Sequence, residues 1–132
     1  MRIFKNKWFA RFARKEAISD ESLHEAVKQI EAGNYDADLG TGVFKQRIAR
    51  SSEGQSSGYR VILCFKKEER AFFVYGFAKS SRANLAQDET REFKKLAKIL
   101  FAMTDEQLEL MLQHDDFDEL PYERGHNHGK KL

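Results

Sequence analysis

Apolar positions recur near the N-terminus with the 3.6-residue period of helices. Residues 7–16 (KWFARFARKE) place Trp8, Phe9 and Phe12 on one side and basic residues on the other, which predicts a short amphipathic helix behind an Asn6 cap. The stretch SDES at 19–22 is typical of a helix N-terminus, and the apolar spacing after it predicts a second helix that ends at Gly33. Residues 2–5 (RIFK) are compatible with a short opening strand.

Alternating patterns dominate the middle of the chain and predict an antiparallel sheet. Residues 43–48 alternate, with Phe44 and Ile48 on one face and basic residues on the other, and residues 37–39 are a candidate edge strand. Two longer apolar runs flank the charged stretch KKEER at 66–70, and both are apolar on both faces. This hairpin is therefore expected at the centre of the sheet, covered on both sides. In the first strand of the hairpin, one face is predicted to carry Tyr59, Val61, Leu63 and Phe65. In the second strand, one face is predicted to carry Phe73, Tyr75 and Phe77.

Helical spacing returns in the last third of the chain. Residues 88–103 (DETREFKKLAKILFAM) predict a helix with Phe93, Leu96 and Leu100 as its buried stripe, and Thr104 caps a further short helix. The pattern predicts an α+β fold: two N-terminal helices packed on an antiparallel three- to four-stranded sheet, followed by C-terminal helices. We expect one domain over residues 1–113 and an acidic, disordered tail over 114–132.

Charge is distributed unevenly along the chain. The formal net charge is +2, but residues 104–132 carry eight acidic and three basic residues, which leaves residues 1–103 at +7. Residues 42–82 hold nine bases and three acids. A basic body suggests a polyanion as partner, because Lys and Arg displace counterions from phosphates; a lysine-rich, solvated surface is the alternative.

Cysteine content and hydropathy indicate the compartment. Cys64 is the only cysteine and lies in an apolar strand pattern, so it is predicted to be a buried small side chain rather than a nucleophile. The chain has no apolar run of the roughly 18 residues that a membrane helix needs, and no signal-peptide pattern. A cytoplasmic protein with no membrane partner is expected.

Strand pairing should bring distant cations together. With residues 68 and 69 at the hairpin tip, paired residue numbers sum to about 137, so Arg60 faces Phe77 and Lys79 lies at the same open end. Crowded cations repel each other unless an anion neutralises them, and Arg binds phosphate bidentately. The alternative is that each side chain extends separately into solvent. The cations expected at this rim are Arg50, Arg60, Lys79 and Arg82, with Lys45 and Arg47 behind them.

Three strings in this order, VFKQRIAR (43–50), SGYRVILCF (57–65) and FFVYGFAKSSRANL (72–85), resemble the RelE/HigB-type toxins of bacterial type II toxin–antitoxin systems. The similarity includes both N-terminal helices and runs from about Arg2 to about Leu112. The resemblance implies a small α+β domain, a cognate antitoxin as partner, and cleavage of messenger RNA, most often on the ribosome. It also implies that Lys and Arg side chains on the sheet act in catalysis, helped in some members by a terminal Tyr or His that cannot be located in this chain.

The resemblance assigns roles to the cations. RNA carries its own nucleophile, the 2′-OH, so a metal-free nuclease needs a base, cations for the pentavalent phosphorane and an acid for the 5′-oxygen. Arg50 and Arg60 are assigned to charge stabilisation, and Lys45 or Lys79 to proton transfer if neighbouring cations favour the neutral amine. Tyr59 or Tyr75 is assigned to stacking on a base or to donating a proton. The predicted catalytic set is Lys45, Arg47, Arg50, Arg60 and Lys79, and the predicted RNA-binding set is Tyr59, Arg82, Lys7 and Arg11.

Other functions remain open at this point. Relatives of ParE share the fold and poison DNA gyrase by binding, and a non-catalytic nucleic-acid-binding protein is a third option. The HNH stretch at 126–128 has two closely spaced imidazoles without a carboxylate or thiol set to complete a metal site, so no metal or cofactor is expected. The expected function is a ribosome-dependent, metal-independent mRNA endonuclease that inhibits translation, with the ribosome, mRNA and an antitoxin as partners.

Overall fold

The computed structural model describes residues 1–49 and 58–121. The strands are β1 (Arg2–Asn6), β2 (Ala37–Gly40), β3 (Val43–Ile48), β4 (Tyr59–Lys66), β5 (Arg70–Ala78) and β6 (Phe117–Glu119). The helices are α1 (Lys7–Lys15), α2 (Asp20–Glu31), α3 (Gln87–Ala102) and α4 (Asp105–Gln113). The α+β class is confirmed, and the opening strand predicted at residues 2–5 is present as β1, ahead of the two N-terminal helices.

The described strands form one mixed sheet in the order β2-β3-β4-β5-β1-β6. Strands β2 to β5 form the predicted antiparallel part, whereas β1 runs parallel to β5 and antiparallel to β6. The prediction of three to four purely antiparallel strands was therefore wrong in size and in pairing. The physical reason is that β1 and β6 pair with strands that are distant in sequence, so no turn residues mark their partners.

Strand β6 corrects the predicted boundary between the folded domain and the tail. Phe117 and Leu120 are buried, and the Leu120 N–H donates to the Ile3 carbonyl at 2.8 Å. The Arg2 guanidinium donates two hydrogen bonds of 2.8 Å to Glu119, and these raise the pKa of Arg2. Glu119 belongs to the acidic segment that was predicted to be disordered, and it is instead a partner of the N-terminal strand. The chain from residue 122 onward lies outside the described residues.

Two hydrophobic clusters cover the two faces of the sheet. The cluster between the sheet and helices α1 and α2 includes the fully buried Phe9 and Leu23. The cluster on the other face, beside α3 and α4, includes Phe4 and Ile62. Strand β4 is buried at every position except its last, which confirms the central hairpin. Burial raises the pKa of the Cys64 thiol to about 12, in agreement with a structural cysteine.

A β-bulge in β5 decides which of its side chains face each cluster. The register runs Ile62↔Tyr75 and then Leu63↔Phe73, so Val74 is an extra residue. Phe73 packs in the cluster under α1, and Tyr75 packs in the cluster under α3. The predicted common face for Phe73 and Tyr75 was wrong, because strict alternation fails at a bulge.

Asn6 ends β1 and begins α1. Its side-chain oxygen accepts from the Phe9 N–H at 2.7 Å, as predicted for the cap, and its amide donates to the Val74 carbonyl at 3.2 Å. Strand β1 therefore stops while β5 continues for several residues, and α1 packs against this part of β5. Among the described residues, no helix is long and apolar enough to span a membrane.

Candidate functional site

Three cations on two neighbouring strands surround a single carboxylate. Lys45 Nζ lies 3.4 Å from Asp36 Oδ2, and Arg60 Nε lies 3.3 Å from the same oxygen. Arg47 Nη2 lies 3.8 Å from Asp36 Oδ1. Arg47 pairs directly with Arg60 across β3 and β4, and Lys45 is two residues along β3, so the three side chains share one face of the sheet. We call Asp36, Lys45, Arg47 and Arg60 the cation cluster.

Charge and burial make the cation cluster suitable for an anion. Three positive charges against one negative charge leave a surplus of two. The side chain of Arg60 is 8% exposed and that of Arg47 is 57% exposed, so the cluster extends from the interior to solvent. Charge-assisted hydrogen bonds are stronger where water is partly excluded, and a phosphate that entered would meet donors from both arginines.

Asp36 is a site residue that the sequence interpretation missed. Arg60, expected among the crowded cations of the rim, shares this carboxylate with Lys45 and Arg47. The Asp36 N–H donates to the Lys45 carbonyl at 3.1 Å, which holds Asp36 beside β3. A signal was present: a tight turn through GTG (40–42) pairs Ala37 with Lys45, so the preceding carboxylate falls next to the basic strand.

The loop after β5 fixes the other side of the cluster. Lys45 Nζ donates to Asn84 Oδ1 at 3.0 Å, and Arg82 Nε donates to the Asn84 carbonyl at 3.1 Å. Arg82 also donates two hydrogen bonds to Glu89, of 2.6 and 3.1 Å. These bonds raise the pKa of Arg82 and lower that of Glu89. Arg82, predicted to bind RNA, is instead bonded to protein groups and anchors the loop that orients Lys45.

The two tyrosines considered for RNA contacts lie on opposite faces of the sheet. Tyr59 is 4% exposed in the cluster under α1, and its hydroxyl donates to Glu16 at 2.9 Å. Tyr59 therefore points away from the cation cluster, because successive strand residues point to opposite faces and its neighbour Arg60 faces the site. Tyr75 lies on the site face, and its hydroxyl accepts from Arg82 Nη1 at 3.3 Å.

The other predicted site residues are exposed or lie outside the described residues. Lys79 is exposed directly after β5, and its N–H donates to the Gly58 carbonyl at 3.0 Å, at the end of the sheet where Arg60 lies. Lys7 and Arg11 are exposed on α1. Arg50 and the HNH stretch lie outside the described residues. The described part of the chain contains no group of three or more side chains that could hold a metal ion.

One comparison with protein families gives a match that spans the fold. The family model described as the RelE toxin of the RelE / RelB toxin–antitoxin system matches residues 1–120. The match includes every element from β1 to β6 and so contains the whole cation cluster. No curated protein matches the chain.

Proposed function

Because the chain belongs to the RelE toxin family and is therefore the toxin of a toxin–antitoxin system, we propose that it inhibits translation by cleaving messenger RNA on the ribosome. The observation that carries the proposal is the cation cluster, whose surplus of two positive charges lies on one face of the sheet. Such a surplus suits a phosphodiester, which carries one negative charge and gains another in the transition state.

The proposed reaction uses the 2′-OH of the RNA as nucleophile. Its oxygen bonds to the adjacent phosphorus as the proton leaves, and the bond from phosphorus to the 5′-oxygen breaks as that oxygen gains a proton. The products are a 2′,3′-cyclic phosphate and a 5′-hydroxyl. This transesterification needs proton transfer at two oxygens and stabilisation of the phosphorane charge.

The contacts in the cluster support one assignment of roles. Arg60 and the more exposed Arg47 hold the non-bridging phosphate oxygens, as Arg does in bidentate phosphate recognition. Lys45, whose ammonium is held between Asp36 and Asn84, donates the proton to the leaving 5′-oxygen. Asp36 is the carboxylate that pairs with these cations, and in this scheme it accepts the proton of the 2′-OH. Lys79 and Arg50 add positive charge along the RNA backbone.

Family membership also implies an antitoxin partner. We propose that the antitoxin silences the toxin by covering the cation cluster with an acidic segment or by displacing a terminal helix. In either case, adding antitoxin should abolish cleavage without changing the toxin chain.

Primer extension on a messenger RNA in a translating extract tests the proposed function. The wild-type protein should produce discrete cuts, and the same RNA without ribosomes should stay intact. Arg60→Ala should reduce cleavage by about 10²- to 10³-fold through lost charge stabilisation. Because Arg60 is buried, Arg47→Ala is the safer companion variant: its side chain is 57% exposed, so folding is retained while cleavage falls. Lys98→Ala, on the exposed side of α3, removes the same charge elsewhere and should cleave like wild type.

Two results would overturn the proposal. Intact transcripts together with gyrase-dependent DNA breaks would establish a ParE-like gyrase inhibitor. Intact transcripts without DNA breaks would establish a non-catalytic nucleic-acid-binding protein. Thermal melting of each variant separates loss of activity from loss of fold.

A further inference from the structure

The most exposed large aromatic side chain of the described residues is Trp8, the only tryptophan in the chain. It is 44% exposed in the first turn of α1. Its ring centroid lies 5.3 Å from that of Phe12 and 4.6 Å from that of Tyr75. Aromatic contacts therefore hold the indole in a defined position while nearly half of the residue remains in contact with solvent.

The position of Trp8 is beside the face that carries the cation cluster. Trp8 packs on Tyr75 in the part of β5 that continues past the end of β1. Tyr75, Ile62 and Lys45 form one cross-strand row over β5, β4 and β3. With about 4.8 Å between neighbouring strands, Lys45 and Tyr75 are about 10 Å apart along this row, and Trp8 is the next side chain outward.

The N-terminal segment that carries Trp8 is basic in sequence. Residues 1–15 carry six bases and no acid. Lys7 precedes Trp8 directly, and Arg11 lies one helical turn further on the same part of α1, and both are exposed. An exposed aromatic ring flanked by cations is the combination that proteins use to bind single-stranded nucleic acid, where bases stack on the ring and cations follow the backbone.

We propose that Trp8 is a substrate-positioning residue on which a base of the messenger RNA stacks, while Lys7 and Arg11 contact phosphates of the same strand. The inference rests on the proposed function, since it concerns how the same RNA is held beside the cation cluster. Stacking on an aromatic ring tolerates any base, so Trp8 adds affinity and orientation with little sequence preference. A base held at Trp8 restrains the attached ribose and phosphate relative to Lys45 and Arg60.

The single tryptophan permits a direct spectroscopic test. The full chain is titrated at low salt with a short single-stranded RNA whose 2′-hydroxyls are methylated to prevent cleavage, and tryptophan fluorescence is recorded. Saturable quenching is expected, and a Lys7→Ala/Arg11→Ala variant should need several-fold more RNA to reach the same quenching. Inorganic polyphosphate, which has phosphates but no bases, should bind without comparable quenching. Equal quenching by both polyanions, or none by RNA, would overturn the inference.

Cleavage kinetics on programmed ribosomes provide the second readout. Trp8→Leu keeps apolar bulk but cannot stack, and it should raise KM about tenfold or more with little change in kcat. Trp8→Phe should restore most of the affinity, a rescue that loss of folding would not show. Ile99→Ala, an exposed apolar residue on α3, is the matched control and should behave like wild type. Wild-type KM for Trp8→Leu would overturn the inference.

The two proposals fail separately. If wild-type protein cleaves mRNA and Trp8→Leu is equally efficient, the proposed function stands and the role of Trp8 falls. If wild-type protein cleaves no mRNA but single-stranded RNA quenches its fluorescence and polyphosphate does not, Trp8 is a stacking residue and the proposed nuclease activity is wrong.

Discussion

Asp36 determines how three cations coexist in the free protein. Its two oxygens lie within 3.8 Å of nitrogen atoms of Lys45, Arg47 and Arg60. Without a carboxylate, the 8%-exposed Arg60 side chain would keep a charge in a poorly solvated position without compensation. In the proposed reaction the same carboxylate would compete with an incoming phosphate for the cations, so we expect Asp36 to stabilise the fold and to weaken substrate binding.

Replacing Asp36 by Asn should separate these effects. The free energy of unfolding should fall by about 1–3 kcal/mol, because a charged partner of a buried group becomes neutral. Affinity for single-stranded RNA should rise, and its salt dependence should steepen by about one unit of log K per log salt. Cleavage should nevertheless fall about 10²-fold or more, because the proposed base is lost.

Asp118→Asn removes the same charge from an exposed position on β6 and provides the control for these measurements. Chemical denaturation, fluorescence titration and primer extension measure the three quantities. Full cleavage by Asp36→Asn would remove Asp36 from the proton-transfer scheme and leave it a structural role.

Residue-level features could be predicted only where they follow strand geometry. Alternation correctly placed Lys45 and Arg47 on one face of β3, and the predicted pair Arg60↔Phe77 is present. Arg60 shares the face of Lys45 and Arg47 because it pairs with Arg47, a register that was not predicted. Asp36 was missed because its partners depend on a short edge strand with a weak pattern. Tyr59 lies on the opposite face from its neighbour Arg60, as alternation along a strand requires.

At the scale of elements, the N-terminus of α3 is attached to the loop that carries Asn84. Glu89 accepts from Arg82 and from the Ala86 N–H at 2.8 Å, and these bonds lower its pKa, with those from Arg82 the larger cause. A carboxyl group with a lower pKa in the folded than in the unfolded state stabilises the fold above its unfolded pKa of 4.5. This contribution is lost as the pH falls through the folded value.

Glu89→Gln should therefore melt at a lower temperature than wild type at neutral pH, and the difference should shrink steadily below pH 4.5. Thermal melts between about pH 3 and 7 measure it. Glu92→Gln is the control: Glu92 is on the exposed side of the same helix and pairs with Lys95 of that helix, so the variant should show a much smaller pH-dependent difference. A Glu89→Gln difference that stays constant with pH would show that the carboxylate charge is not what anchors the loop.

The packing of α1 on β5 requires a glycine at position 76, because the Phe12 ring occupies the space that a side chain would need. A Cβ there would lie 2.5 Å from Cε2 of Phe12, whose ring contacts Trp8 and Tyr59. Gly76→Ala should destabilise the protein by about 1–3 kcal/mol, since Phe12 must leave its position. Denaturant unfolding measures the change, and tryptophan emission should shift because Trp8 stacks on Phe12.

A double-mutant cycle provides the control for Gly76. In a Phe12→Ala background the clash is absent, so Gly76→Ala should be close to neutral or slightly stabilising, because Ala is less costly than Gly in a strand. If Gly76→Ala lowered the free energy of unfolding equally in both backgrounds, the loss would come from the backbone of β5 and not from a clash with Phe12.

At the scale of the whole molecule, local patterns predicted the parts of the fold that local forces build. Asn6, Ser19 and Thr104 cap helices as predicted, and the central hairpin is buried on both faces. The pairing of β1 with β5 and β6 could not be predicted, because these three strands are far apart in the sequence and no short turn connects them. The acidic segment 117–119 joins the sheet because partners such as Arg2 neutralise its charge, and composition alone does not identify such partners.

The edge strand β6 allows a test of how far the folded domain extends. Phe117 is 7% exposed, and its ring centroid lies 6.3 Å from that of Phe4 and 5.4 Å from that of Phe72. Phe117→Ala removes a buried aromatic side chain and should cost about 3–5 kcal/mol in the free energy of unfolding. Asp118→Ala, the exposed neighbour on the same strand, should change it by less than about 0.5 kcal/mol. If both variants unfolded at the wild-type denaturant concentration, β6 would contribute no stability, and the folded domain would end before it, as the acidic composition alone suggested.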